Sequence, residues 1–151
     1  IMLIILAAVF LNFVLGFMGV TQAILEGIKE LGWTPMQTMI VIICFYLLLG
    51  MFMETLSMML TTIPVVFPIV VHMGFDPVWF GIMITVLMEA ALITPPIGIN
   101  LYVVHGIRAR GGNFNDVSYG AVPFLFGMFF LIAFLLFFPD LALWLPQLVY
   151  H

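Results

Sequence analysis

Leu92-Ile93-Thr94-Pro95-Pro96-Ile97-Gly98-Ile99-Asn100 lies in the middle of an apolar segment long enough to cross a bilayer, yet no helix can run through it unbroken. Pro95 and Pro96 carry no backbone N–H, so the carbonyls of Ala91 and Leu92 are expected to lose their helical partners. Each proline also drives its predecessor out of the α region, and Gly98 admits backbone angles closed to other residues. At membrane depth, freed carbonyls are tolerated only where they are buried in protein or line a polar cavity. The break is therefore the place to look for a binding site.

Composition sets the class. The chain has 151 residues, 66% of them hydrophobic and 7% charged, with a mean hydropathy of +1.35. Soluble domains carry ~25% charged residues, so an all-α integral membrane protein is expected. The apolar runs are continuous and do not alternate, which fits helical spans and not a β-barrel. A net charge of −4 from few residues argues against nucleic-acid binding. The single Cys44 has no intrachain partner and is silent on redox compartment. The chain opens at Ile1 inside a hydrophobic run, so it reads as a fragment and not as a signal peptide.

Working outward, residues 1–20 read as one transmembrane helix. Residues 21–34 read as an amphipathic interfacial arm, with Ile24, Leu25, Ile28 and Leu31 at helical spacing and Glu26, Lys29 and Glu30 elsewhere on the wheel. The stretch 35–73 is apolar apart from Gly50-Met51-Phe52-Met53-Glu54-Thr55-Leu56-Ser57. Two readings compete there. One is a single helix over Met36–Leu60; the other is a re-entrant hairpin with legs Met36–Leu49 and Met58–Met73. At 1.5 Å per residue the first leg reaches only ~21 Å, against a hydrocarbon core of ~30 Å, which favours the hairpin. Residues 77–107 then form a broken transmembrane helix, 117–138 a last transmembrane helix with Asn115 or Asp116 as its cap, and 139–151 an interfacial tail.

Three places combine a capping residue with proline at the first helical position: Thr34-Pro35, Asp76-Pro77 and Thr94-Pro95-Pro96. The third would aim a helix N-terminus, with its free N–H groups, at the membrane interior, where an anion or carboxylate can be held. Counting crossings puts Trp33, Trp79 and Trp144 near one interface, as an aromatic belt requires, and Arg108 and Arg110 on the opposite, cytoplasmic side. The hairpin would then open from the outer face.

Glu54 and Glu89 are the two carboxylates expected at depth, where a charge costs a few kcal/mol on insertion scales (about 2.5–3.5) and so faces a cavity or partner. The plainer reading of Glu54 is a cap that closes the hairpin tip. For Glu89, one turn before the break, it is a brace on Thr or Asn side chains behind the site. Thr55, Ser57, Thr94 and Asn100 supply oxygens beside freed carbonyls, a set that suits Na⁺ in discontinuous helices. His72, His105 and His151 show no metal-ligand spacing. No H-E-x-x-H or G-x-S-x-G motif supports a hydrolase.

The stretches Gly50-Met51-Phe52-Met53-Glu54-Thr55, Ile63-Pro64-Val65-Val66-Phe67-Pro68-Ile69, Gly74-Phe75-Asp76-Pro77-Val78-Trp79-Phe80-Gly81 and Leu92–Leu101 resemble the large membrane subunit of tripartite ATP-independent periplasmic (TRAP) transporters. The likeness runs from about Trp33 to Leu145 and falls on that subunit's C-terminal portion. It implies the second inverted repeat of an elevator-type transporter, with a re-entrant helical hairpin and a broken transmembrane helix. It also implies inward Na⁺ flow coupled to uptake of carboxylate-bearing solutes such as C4-dicarboxylates or sialic acids. A periplasmic solute-binding protein would deliver the solute, and a small membrane subunit would support the large one in the bacterial or archaeal inner membrane. The resemblance places Na⁺ between Gly50, Glu54 and Thr55 on the tip and Thr94, Gly98 and Asn100 on the break. Ser57, Pro95 and Pro96 would face the solute, Glu89 would stand behind the site, and no cofactor is implied beyond the coupling ion.

Three rival functions are open at this point. A proton-coupled organic anion transporter of the same architecture would titrate Glu89. A non-transporting membrane scaffold would fill the breaks with neighbouring helices. An intramembrane enzyme would use Glu54 and Glu89 as paired acids.

Overall fold

A computed structural model describes residues 2–95, 97–108 and 112–149, the side chains of 145–147 and 149 excepted. Ile1, Pro96, Arg110 and His151, all named above, lie outside the described residues, as does the side chain of Leu145. The described residues form eight α-helices and no strand: α1 Met2–Phe17, α2 Val20–Glu30, α3 Pro35–Gly50, α4 Thr55–His72, α5 Pro77–Leu92, α6 Ile99–Ile107, α7 Phe114–Phe137 and α8 Pro139–Val149.

Local chemistry fixes the boundaries. Gly19, at φ 67°, turns the chain by 55° between α1 and α2, so the amphipathic segment leaves the axis of the preceding apolar helix. Thr34 starts α3 through a reciprocal box in which its hydroxyl accepts from the Gln37 N–H (3.3 Å) and the Gln37 side chain accepts from the Thr34 N–H (2.9 Å). Asp76 starts α5 by accepting from Val78 and Trp79 N–H at 2.7 and 3.1 Å. Each such cap contributes about 1 kcal/mol. The last long helix begins earlier than its sequence suggested. Its cap is Asn113, and Asp116 accepts from the Asn113 N–H at 3.1 Å, so Asp116 closes the first turn and does not precede it.

Residues 35–72 form two helices, not one, joined at 51–54. Tyr46 and Thr62 stand equally far from Glu54 and share a 2.7 Å hydrogen bond, so the legs run antiparallel. α3 is short, but the 18 residues of α4 are long and apolar enough to cross a membrane, as are those of α7. The length argument against a span therefore applies to the first leg alone.

α5 is the hub, packing against α3, α4, α7 and α8. Trp79, Met83, Leu87, Met88, Ala90 and Ala91 are buried on it, joined by Met39 and Tyr46 of α3 and Met58 and Val70 of α4. In a bilayer such contacts are stabilised by close packing, since lipid offers no hydrophobic drive between helices. Phe10, Phe13, Phe124, Phe126 and Phe130 stay exposed on α1 and α7, as a lipid-facing surface requires. The expected belt of three tryptophans needs correction. Trp33 and Trp144 are exposed, but Trp79 is 1% exposed, stacks on Phe75 and donates through Nε1 to the Leu135 carbonyl at 2.9 Å.

Candidate functional site

The break opens where α5 runs out of backbone donors. Ile93 N–H turns back to the Ala90 carbonyl (3.3 Å) and Thr94 N–H to that of Ala91 (3.2 Å). The Thr94 hydroxyl adds a third bond to the Ala90 carbonyl at 2.7 Å. Thr94 thus closes α5 and does not cap α6, contrary to the sequence reading. The carbonyl of Ala91 is likewise not orphaned by Pro95, because a tightened last turn satisfies it.

The half-helix beyond the break starts at Ile99, and its cap is Gly98. Gly98 is buried at φ 23°. A Cβ there would stand 2.9 Å from the Leu92 carbonyl oxygen and 3.0 Å from that of Thr94. Two carbonyl oxygens therefore converge on one point that only glycine leaves open.

The hairpin tip meets this region from the other side. Gly50, the last residue of α3, is buried against Ala91, and a Cβ at Gly50 would overlap the Ala91 Cβ while lying 3.5 Å from the Ala91 Cα. The end of the first leg and the end of α5 are thus in backbone-range contact. At the start of the second leg, Glu54 caps α4. Its carboxylate accepts from Leu56 N–H at 2.8 Å, Ser57 N–H at 3.2 Å and the Ser57 hydroxyl at 2.9 Å. Glu54 is exposed, and its bonds go to its own helix.

Residues 1–141 match the family described as "Tripartite ATP-independent periplasmic transporter, DctM component". The chain belongs to this family of TRAP transporter subunits. The match begins at residue 1 and so includes α1 and α2, which the sequence resemblance left out. Over 148 residues the chain is 36% identical to the C4-dicarboxylate TRAP transporter large permease protein DctM of Vibrio cholerae, covering 98% of this chain and 32% of that one. It is 34% identical over 114 residues to the sialic acid TRAP transporter large permease protein SiaM of the same organism, covering 76% and 26%. The ectoine TRAP transporter large permease protein TeaC of Halomonas elongata is 34% identical over 142 residues, covering 93% and 32%. The chain spans about a third of the length of the relatives it matches most strongly. Family and apolar helices together make it a multi-pass protein of the bacterial inner membrane, and its relatives are named as permease proteins.

Within this TRAP subunit the described residues named from sequence have the following neighbours. Gly50 and Gly98 flank the same stretch of α5 and its exit, reaching Ala91 and Leu92 respectively. Thr94 shares that exit through its carbonyl. Asn100 instead lines a cavity of about 460 Å³ between α6 and α7, with Ile93, Leu101, Arg108, Asp116 and Phe124 among its walls. Arg108 and Asp116 pair across it at 3.4 Å, both well exposed, so the pair is worth under about 1 kcal/mol. Pro95 lines a second cavity of about 440 Å³ with Tyr102, Phe114 and Tyr119. Ser57 is engaged by Glu54. Glu89 is exposed on α5, and among the described residues its carboxylate bonds no Thr or Asn side chain, so the expected brace is not made.

Sequence reasoning named the Ala91 and Leu92 carbonyls at the break but missed the close approach of Gly50 to the Ala91 side chain. A small-residue pair, Ala90-Ala91, just before the break was the available signal, since close helix approach in membranes needs small side chains.

Proposed function

We propose that this chain is part of a TRAP large membrane subunit that couples Na⁺ influx to uptake of carboxylate-bearing solutes. The observation that carries this reading is the contact of the hairpin tip at Gly50 with the end of α5, beside the two carbonyls that converge on Gly98. Neutral carbonyl and hydroxyl oxygens at a helix discontinuity suit a hard monovalent cation. Among the described residues no group of three His, Cys, Asp or Glu side chains is placed to hold a multivalent metal.

On this reading Na⁺ sits between Gly50, Glu54 and Thr55 of the tip and Thr94, Gly98 and Asn100 of the break. Leu92 adds its carbonyl, and Glu54 adds charge while its oxygens hold α4. The solute meets Ser57, Pro95 and Pro96. The names of the relatives, which include C4-dicarboxylate and sialic acid transporters, support a carboxylate solute. A periplasmic solute-binding protein delivers it and a small membrane subunit braces the large one. The hairpin α3–α4 is re-entrant and opens outward. It and the broken pair α5–α6 make the second inverted repeat of an elevator. α2, bent away from α1 with Ile28 buried, serves as the arm between moving and static parts.

The test is solute uptake into proteoliposomes holding the complete transporter and its binding protein. Uptake driven by a Na⁺ gradient at equal pH on both sides is the expected result. Uptake driven by a proton gradient without Na⁺ would replace this reading with a proton-coupled one centred on Glu89. No uptake under either gradient, from folded and assembled protein, would favour a scaffold.

A further inference from the structure

We infer that Asn12 is a positioning residue for the hairpin, taking from across the α1–α4 contact a carbonyl that Pro64 leaves without a helical donor. In a regular helix the Leu60 carbonyl accepts from the N–H four residues on. That residue is Pro64, which has none. The Asn12 side-chain amide donates to the Leu60 carbonyl at 2.8 Å. Both residues, with Pro64, line one almost wholly apolar cavity of about 370 Å³, whose side chains offer the carbonyl few other donors. The other polar side-chain atom, Asn12 Oδ1, is buried and has no partner among the described residues.

A second freed carbonyl is met in a comparable way. Leu135 stands in the last turn of α7, where carbonyls have no helical donor, and its carbonyl receives the indole N–H of Trp79 from α5. By contrast, Pro68 and Pro123 free the carbonyls of Pro64 and Tyr119, which are exposed residues. Among the described residues no side chain donates to either. A carbonyl without a helical donor thus serves as a docking point where another helix packs against it, and not where the helix faces outward.

Leu60 lies six residues beyond Glu54, ~9 Å along the helix. A tether at that height sets how the tip meets α5, whichever ion drives transport. Asn12→Leu keeps the branched shape and removes the donor. Pro64→Ala returns an N–H to the Leu60 carbonyl and makes the tether redundant. The two changes are therefore coupled, and a double-mutant cycle measures the coupling.

The cycle is run on the full-length subunit carrying Cys44→Ser and Met53→Cys. Met53 is partly buried in the core beside the tip, so its replacement thiol reports on tip packing. The readouts are melting temperature and the rate of maleimide labelling. With Pro64 present, Asn12→Leu is expected to lower the melting temperature and to raise labelling several-fold. With Pro64→Ala present, the same change moves either readout by less than a third as much. Equal effects in both backgrounds, or no effect of Asn12→Leu at all, would overturn the inference. Should Asn12→Leu fail to fold, recovery of folded protein by Pro64→Ala supports it, and failure of the double variant contradicts it.

Discussion

Gly50 lies against Ala91 so closely that any side chain at 50 would overlap the Ala91 Cβ, and this joins the hairpin tip to the broken helix. Backbone atoms and a methyl group make the contact, so neither side chain can swing aside to make room.

Gly50→Ala is expected to destabilise the subunit by about 1–3 kcal/mol, as over-packing of a tight contact does. It should also abolish uptake. Ala91→Gly in the same protein removes the opposing methyl and recovers most of the melting temperature. Thermal denaturation of the four proteins in the cycle checks this, and a fully tolerated Gly50→Ala would mean that the tip has free play.

Gly98→Ala meets two obstacles. Its φ of 23° disfavours a side chain, and the Cβ would press on the Leu92 and Thr94 carbonyls at 2.9 and 3.0 Å. A cost of about 1–3 kcal/mol follows. Na⁺-dependent uptake should fall further than stability, because the methyl occupies the point where the oxygens converge. Parallel loss of the two would assign Gly98 to folding alone.

Trp79→Phe leaves the Leu135 carbonyl, in the last turn of α7, without its side-chain donor. Hydrogen bonds between membrane helices are worth about 0.6–1.7 kcal/mol, and a drop of that size in unfolding free energy is expected. A loss well below that range would tie Trp79 to ring packing against Phe75 instead.

Glu54→Ala removes three bonds at the start of α4 and is expected to cost about 0.5–2 kcal/mol. Glu54→Gln keeps an acceptor oxygen and should cost less, but it removes the charge beside the proposed ion. Titrating uptake against Na⁺ separates the two effects: a weaker apparent Na⁺ affinity in Glu54→Gln is expected. An unchanged affinity would leave Glu54 as a cap only.

The membrane class, the helix starts at Pro35 and Pro77 and the break itself were legible because proline, glycine and capping residues act locally. The exit from α5 was misread for a physical reason. A threonine before proline suits an N-cap, yet its hydroxyl can equally bond backward to the carbonyl four residues earlier, as Thr94 does to Ala90. The placement of Trp79 was misread because an interfacial tryptophan and one donating between helices look alike in one dimension. Asn12 passed unnoticed within an apolar run. Its partner carbonyl is identified only when the missing N–H of Pro64 is matched with a donor from another helix. Which cavity Asn100 faces depends on how α6 sits against α7, and no spacing in the chain encodes that.

The most direct test of a Na⁺ site between tip and break is radiolabelled Na⁺ binding to the purified complex, without solute, in wild type and in Gly98→Ala. Saturable binding in the wild type that is lost in the variant, with the variant still cooperatively folded, is the expected result. Undiminished saturable binding in folded Gly98→Ala would contradict a site at this break.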